Sequence, residues 1–297
     1  MLEEFKHAFS RPNNSHIQLI LINVAVFVVL AIFMVFSLWF GFGNVFEVVH
    51  KQFSLPSGFG DFVTRPWTLI TYFFTHDLRG LMHILFNMLA LYWFGKLLVS
   101  YLGSDKVIAV YVLGGLAGGA LYLMVYNLIP NPPEFLSGRA ELVGASASVF
   151  AIMVAAATLL PDYTFFLLFF GPVKIKWIAA IYIFLSFLGS VGQNAGGEIA
   201  HLGGALIGFV YIKQLQVGVN WGGWITATLN GIAGLFSSRR TVKVTYRKEA
   251  SAKRPHSATP SSISQQEIDA ILDKISEGGY ESLSKDEREK LFKASKK

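Results

Sequence analysis

Six stretches of this chain are apolar over lengths that meet or approach a membrane crossing: Ile17–Phe40, Leu81–Tyr101, Val107–Ile129, Leu142–Leu160, Trp177–Val191 and Ile199–Ile212. A hydrocarbon core of roughly 30 Å requires about 20 apolar residues per helix, and it offers no partner to an unpaired backbone group. The last two stretches are short as counted, but Gly-rich flanks can extend them. The first is too long for the apolar region of a signal peptide, and no small-x-small site follows it. Only 15% of the residues are charged and 53% are hydrophobic, where a soluble domain carries about 25% charged residues. Positions 1–238 hold 11 basic and 10 acidic residues, and the last 59 positions hold 14 and 9. A nearly uncharged body therefore carries a polar tail, and most of the net +6 belongs to the tail. A soluble enzyme is excluded. With no cysteine, so are a disulfide-built domain, thiolate zinc sites, haem-thiolates and iron–sulfur clusters. The positive charge reads as membrane topology and lipid contact rather than nucleic-acid binding.

Orientation follows from Lys and Arg in short loops. An even number of spans puts both termini on one side, with Lys6, Arg11, Lys96, Lys106, Lys174, Lys176 and Lys213, then the basic run from Arg239 to Arg254. The other side has Lys51, Arg65, Arg79 and Arg139, diluted by Glu47, Asp61, Asp77, Glu134, Glu141 and Glu198. The termini are expected to be cytoplasmic. The expected organisation is a cytoplasmic segment 1–16, a six-span core 17–213, an interfacial segment 214–237 (or a seventh span within it), a basic flexible linker 238–262 and a helical hairpin 263–297. In the hairpin, Ser264 and Glu267 have capping-box spacing, flanked by Ile263 and Ile268, and Ser284 with Glu287 repeats the signal. Residues 42–80 form a long outer loop with Phe59, Phe62 and Trp67, too apolar for plain linker and expected to lie in the membrane interface.

Polar groups inside spans are costly and ask for a role. The second, fourth and sixth spans run from the outside inwards, and each carries such a residue early. His83 follows Arg79 by four residues, Ser146 follows Glu141 by five, and His201 follows Glu198 by three. At about 1.5 Å per residue all three lie roughly 5–8 Å below their last outer charge, with Asn87 one turn below His83. A hydroxyl and two imidazoles at one depth suggest acyl transfer: the imidazole accepts the serine proton, and donors then stabilise the oxyanion. Ser146 is the expected nucleophile and His201 the base. Asn87, His83 and the Ser146 backbone N–H are the right kinds of donor. No carboxylate is expected where it could orient His201, so the arrangement reads as a dyad. Gly204 and Gly208 share the His201 face, and Gly144 keeps the start of the fourth span slim, as close helix approach requires. Phe150, at i+4 from Ser146, is placed to pack against the imidazole. Ser148, about 200° around the helix from Ser146, reads as packing or as a hydrogen bond back to the Gly144 carbonyl.

The run Gly144-Ala145-Ser146-Ala147-Ser148-Val149-Phe150 resembles the nucleophile motif of the rhomboid intramembrane serine proteases. Ala200-His201-Leu202-Gly203-Gly204 through Gly208 is similar to that family's base motif, and His83-Ile84-Leu85-Phe86-Asn87 to its oxyanion motif. The three occur in the family's order, over about residues 17–213. The resemblance implies an all-α, six-transmembrane-helix bundle that cleaves single-span membrane proteins within or beside their spans, without metal or cofactor, in a bacterial inner membrane. It also implies an outer loop dipping into the interface and a fifth span acting as substrate gate. The hairpin resembles an accessory module of some bacterial rhomboids. Two positions depart from the pattern: Ala147 stands where Gly is commoner, and Trp67-Thr68 where Trp-Arg is common.

Each signal also has a plain reading. Gly144-xxx-Ser148 is a small-xxx-small packing motif, His201 alone could be structural or a proton relay, and His83 with Asn87 could brace the outer loop. Shared depth and order separate the site from these. Competing functions are a catalytically inactive rhomboid-like binding protein for membrane clients, and a proton-coupled transporter, for which inverted repeats are missing. Gly58-Phe59-Gly60-Asp61 mimics an aspartyl protease motif but lies in a loop without a second intramembrane Asp. Glu198-x-x-His201 mimics a di-iron motif that needs a second copy and further carboxylates.

Overall fold

The computed structural model describes residues 13–78, 80–129, 133–137, 141–236 and 265–295. The expected linker 238–262, most of segment 1–16, and Arg79, Arg139, Ile263 and Ser264 lie outside the described residues. The chain divides into two compact units, Met1–Arg239 and Arg240–Lys297.

The first unit is a helical bundle. Its helices are α1 (Ser15–Trp39), α2 (Gly43–Lys51), α3 (Phe59–Thr64), α4 (Thr68–Thr71, continued by a 3-10 turn Tyr72–Phe74), α5 (Leu81–Leu102), α6 (Ser104–Leu128), α7 (Glu134–Ser137), α8 (Ser146–Leu159), α9 (Ile175–Gly189), α10 (Ala195–Gln216) and α11 (Gly223–Phe236). Among the described residues, four helices, α1, α5, α6 and α10, are long and apolar enough to cross a membrane. The protein is a multi-pass integral membrane protein. Two further apolar helices, α8 and α9, have 14 and 15 residues, roughly 21–23 Å at 1.5 Å rise. The segment after the sixth apolar stretch contains α11, also 14 residues long.

α8 begins four residues later than the apolar run suggests, for a local reason. Glu141 and Leu142 pair with Pro56 and Leu55 in a two-residue antiparallel ladder, β2 (Glu141–Leu142) on β1 (Leu55–Pro56). Gly144 then takes φ +126°, which side chains rarely tolerate, so no helix forms before Ser146. A depth for Ser146 counted along an ideal helix from Glu141 does not apply.

α8 is the bundle's centre: every residue from Ala147 to Ala157 is buried. Its alanines let neighbours approach to backbone contact. A methyl on Gly114 of α6 would overlap the Ala151 side chain, and methyls on Gly204 and Gly208 of α10 would overlap the carbonyl oxygens of Ala147 and Ala151. In a bilayer, such van der Waals contact is a main source of helix association. α1, by contrast, shows Val29, Phe36 and Leu38 outward at 65%, 58% and 66% exposure, a surface suited to lipid.

Residues 42–80 are not a single interfacial loop. Trp67, Phe59 and α2 are largely exposed, but Thr68, Tyr72, Phe73, Thr75 and His76 are buried in the bundle. Two tyrosines pin this part: Tyr72 Oη donates to Gly115 O at 2.6 Å and Tyr111 Oη to Phe73 O at 2.8 Å. α8 and α9 are joined by an antiparallel hairpin, β3 (Thr164–Leu167) on β4 (Gly171–Lys174), in register Phe165↔Val173. Lys174 and Lys176 both reach Asp162 at 2.9 Å beside it.

The second unit is a helical pair, α12 (Gln265–Gly278) and α13 (Lys285–Ser295), around a 3-10 turn Tyr280–Ser282. Gly279, at φ +71°, ends α12 in the left-handed conformation that favours glycine. At α13 the capping box is formed: Ser284 N donates to Glu287 Oε2 at 2.7 Å and Glu287 N to Ser284 Oγ at 3.4 Å. Lys274–Glu287 and Lys290–Glu267 pair the helices, over buried Ile271 and Leu283.

Candidate active site

A cleft of about 660 Å³ runs along α5 between α8, α9 and α10. Its polar lining includes His83 and Asn87 from α5, Ser146 from α8 and His201 from α10; Trp93, Phe165 and Tyr182 belong to its mostly apolar remainder. The four residues singled out by the sequence thus face one space.

Ser146 is the first residue of α8. The opening N–H groups of a helix have no intrahelical partner and carry the positive end of its dipole. A nucleophile here has unengaged backbone donors beside it. The turn before it is held from two sides: Gly144 N donates to Tyr72 O at 3.0 Å, and Ala145 N to His76 Nε2 at 3.5 Å. Gly144 is needed for more than slimness. Besides its positive φ, a Cβ there would stand 3.0 Å from both Cε1 and Nε2 of His83 and 3.5 Å from Ser146 Oγ. The imidazole of His83 and the hydroxyl of Ser146 therefore flank the same glycine.

Phe150, one turn below Ser146, stacks on His201 with ring centroids 4.2 Å apart and planes 11° from parallel. Tyr182 of α9 meets the same phenyl ring edge-on at 6.0 Å. Gly204 and Gly208 lie one and two turns below His201 and bring α10 onto α8.

Both hydrogen-bond contacts of His201 fall on Nδ1: Glu198 Oε2 at 3.0 Å and Ser186 Oγ at 3.1 Å. Nε2 is not bonded to Ser146 in this structure. Such bonds are often long without substrate and tighten when it binds. The contact with Glu198 corrects the reading that no carboxylate reaches His201. Glu198 stands one turn nearer the helix start, and side chains on a helix lean that way, so the imidazole is aimed back at it.

Asn87 is buried, 7% exposed, and its Nδ2 donates to His83 O at 2.8 Å. One of its two amide protons is thus used within α5, and the other remains. Ser148 is fully buried and its Oγ has no partner, so of its two expected roles it fills that of packing and not that of a bond to the Gly144 carbonyl. His76, overlooked in the sequence, packs edge-on to His83 at 5.5 Å. It lies outside the spans, and burial holds its imidazole down at a pKa of about 4. Among the described residues, no group of three or more His, Asp or Glu side chains could hold a metal ion.

Residues 63–216 match the family model of the Rhomboid domain, and residues 262–297 match a family of unknown function, DUF6576. The chain is similar to RHOMBOID-like protein 12, mitochondrial, of Arabidopsis thaliana, with 30% identity over 204 residues, 66% of this chain and 59% of that protein. It is 28% identical to Rhomboid protein 1, mitochondrial, of Saccharomyces cerevisiae over 216 residues, 70% of this chain and 55% of that one. It is 27% identical to Presenilin-associated rhomboid-like protein A, mitochondrial, of Danio rerio over 153 residues, 50% of this chain and 37% of that one. The chain thus spans less than two thirds of the length of each of these relatives.

Proposed function

The chain belongs to the rhomboid family, and on that premise we propose that it is an intramembrane serine endopeptidase acting on single-span membrane proteins. One observation carries the reading: Ser146, His201 and His83 converge, from three helices, on one largely apolar cleft. A hydrophilic substrate would gain little from such walls, whereas an apolar segment keeps its lipid-like surroundings while one peptide bond meets the polar end.

In this mechanism Ser146 Oγ attacks the carbonyl carbon and its proton passes to His201 Nε2. The new oxyanion is met by the Ser146 N–H, a ring N–H of His83 and the remaining amide proton of Asn87. The C–N bond then breaks as His201 returns its proton to the leaving amine nitrogen. Water attacks the acyl ester, giving a proton to His201, and Ser146 recovers that proton as the ester bond breaks. Phe150 holds the imidazole plane throughout.

The proposed topology has six crossings, α8 and α9 being the two short ones, with both termini on one side and the cleft opening towards the other. A short central helix is workable here because its sides are covered by protein rather than lipid. The relatives' names place them in mitochondria or a chloroplast, so the bacterial inner membrane expected from the sequence has no support among them, and multi-pass membrane residence is what carries over.

The test is cleavage of a model single-span protein by the purified full chain in proteoliposomes. The reading expects a new N-terminus within or beside the span, lost in Ser146→Ala and in His201→Ala. Retention of the client without cleavage, equal in wild type and both variants, would instead favour a binding protein.

A further inference from the structure

We infer that Glu198 is a positioning residue for the base, so that the site operates as a Ser146–His201–Glu198 relay in geometry rather than as an isolated pair. The inference rests on the protease reading and adds to it a residue that acts through His201.

The geometry is specific. An ionised carboxylate can only accept hydrogen bonds, so the 3.0 Å contact of Glu198 Oε2 with His201 Nδ1 assigns the ring proton to Nδ1. Nε2 is then the lone-pair nitrogen, which is the form that can accept the Ser146 proton. The opposite tautomer would present Nε2–H to the hydroxyl and could not act as base. When Nε2 takes the proton, the carboxylate also stabilises the imidazolium without taking a proton itself.

Three further features favour a built contact over a chance surface pair. The two side chains are only 13% and 23% exposed. Ser186 of α9 touches the same Nδ1 at 3.1 Å, so that ring nitrogen is met from a second helix as well. A Cβ on Gly189 would lie 2.9 Å from Glu198 Cγ, so the C-terminal end of α9 leaves room for this side chain. Glu198 and His201 sit on one helix, so their alignment does not depend on where α9 stands; the Ser186 contact does. The bland alternative is that an acid in the first turn of α10 merely favours the helix dipole, which would affect stability alone.

The two accounts separate in kinetics of the full chain with a single-span substrate, comparing wild type, Glu198→Gln, Glu198→Ala, Glu198→Asp and Ser146→Ala. A positioning role predicts that kcat falls about 10²–10⁴-fold in Glu198→Gln and Glu198→Ala, the upper end being that of the analogous Asp in a soluble triad protease. KM should stay within about twofold, because binding of the ground state is untouched. Glu198→Asp, a carboxylate on a shorter stem, should restore at least tenfold of the loss. ¹⁵N-histidine spectra should show the His201 proton on Nδ1 in wild type and a changed tautomer balance in Glu198→Gln. Unchanged kcat in folded Glu198→Gln and Glu198→Ala, beside an active wild type and a dead Ser146→Ala, overturns the inference and leaves the protease reading standing. A wild type as inactive as Ser146→Ala overturns the reading itself, while the ¹⁵N tautomer still reports on Glu198.

Discussion

The phenyl ring of Phe150 lies face to face with the imidazole of His201, 4.2 Å between centroids and 11° from parallel. Ser146 and Phe150 are one turn apart on α8, so the helix carrying the nucleophile also carries the plate that orients the base. An aromatic pair of this kind is worth about 0.5–1.5 kcal/mol beyond its buried area. Replacing Phe150 by Leu keeps an apolar side chain but removes the flat surface. The expected result is a fall in kcat of roughly 2- to 12-fold, with a thermal midpoint lowered by loss of the same buried contact, checked by steady-state cleavage and by unfolding in detergent.

Helix contact at Gly204 and Gly208 sets the distance between α8 and α10. Added methyls would overlap the carbonyl oxygens of Ala147 and Ala151, and backbone cannot step aside as a side chain can. Overpacking of this sort costs about 1–3 kcal/mol, sometimes more. Gly204→Ala should lower the thermal midpoint and also slow cleavage, because His201 moves with its helix. Gly208→Ala, one turn further from His201, should keep more of its activity for a similar loss of stability. Paired melting and rate measurements check the contrast.

Parts of this site were legible in the sequence because they depend on spacing along one helix. Phe150 at i+4 from Ser146, and Gly204 and Gly208 below His201, follow from 3.6 residues per turn. Glu198 is equally available, three residues before His201, but a depth counted along the helix axis leaves out the backward lean of side chains. Hydropathy alone starts α8 too early, because it does not register a glycine at φ +126° or a two-residue ladder. Ser186, Tyr182 and the buried His76 reach the site through packing between segments, and no local pattern announces them. The same holds for the β3–β4 hairpin, which falls between the fourth and fifth apolar stretches.

Asn87 is predicted to contribute less than a fully free donor. Removing a well-aimed oxyanion donor costs about 10²–10³ in kcat, but one Asn87 proton is engaged by His83 O and other donors remain. Asn87→Ala should therefore lower kcat by about 10- to 100-fold with KM nearly unchanged. A raised KM at constant kcat would make Asn87 a substrate-binding residue instead.

His76 gives the fold a pH dependence. Its imidazole is held at a pKa of about 4 by burial, with the neighbouring His83 adding to the effect, against an ordinary 6.5. The folded form then binds fewer protons than the unfolded form, so stability is complete above about 6.5 and is lost as pH falls towards 4. The full contribution is on the order of 3 kcal/mol. Protonation would also turn Nε2, which accepts from Ala145 N at 3.5 Å, into a donor facing a donor. The melting midpoint in detergent should drop between pH 7 and 4.5, and His76→Gln should flatten that drop.

The identity of the nucleophile is the point on which the mechanism stands. Ser146 opens into the cleft, whereas Ser148, two residues on, is buried without a partner for its hydroxyl. Labelling the full chain in proteoliposomes with a fluorophosphonate, followed by peptide mass spectrometry, distinguishes them directly. The predicted result is a single adduct on Ser146, present in wild type and in Ser148→Ala and absent from Ser146→Ala and from His201→Ala. An adduct on Ser148, or labelling and cleavage that survive Ser146→Ala, would contradict the account.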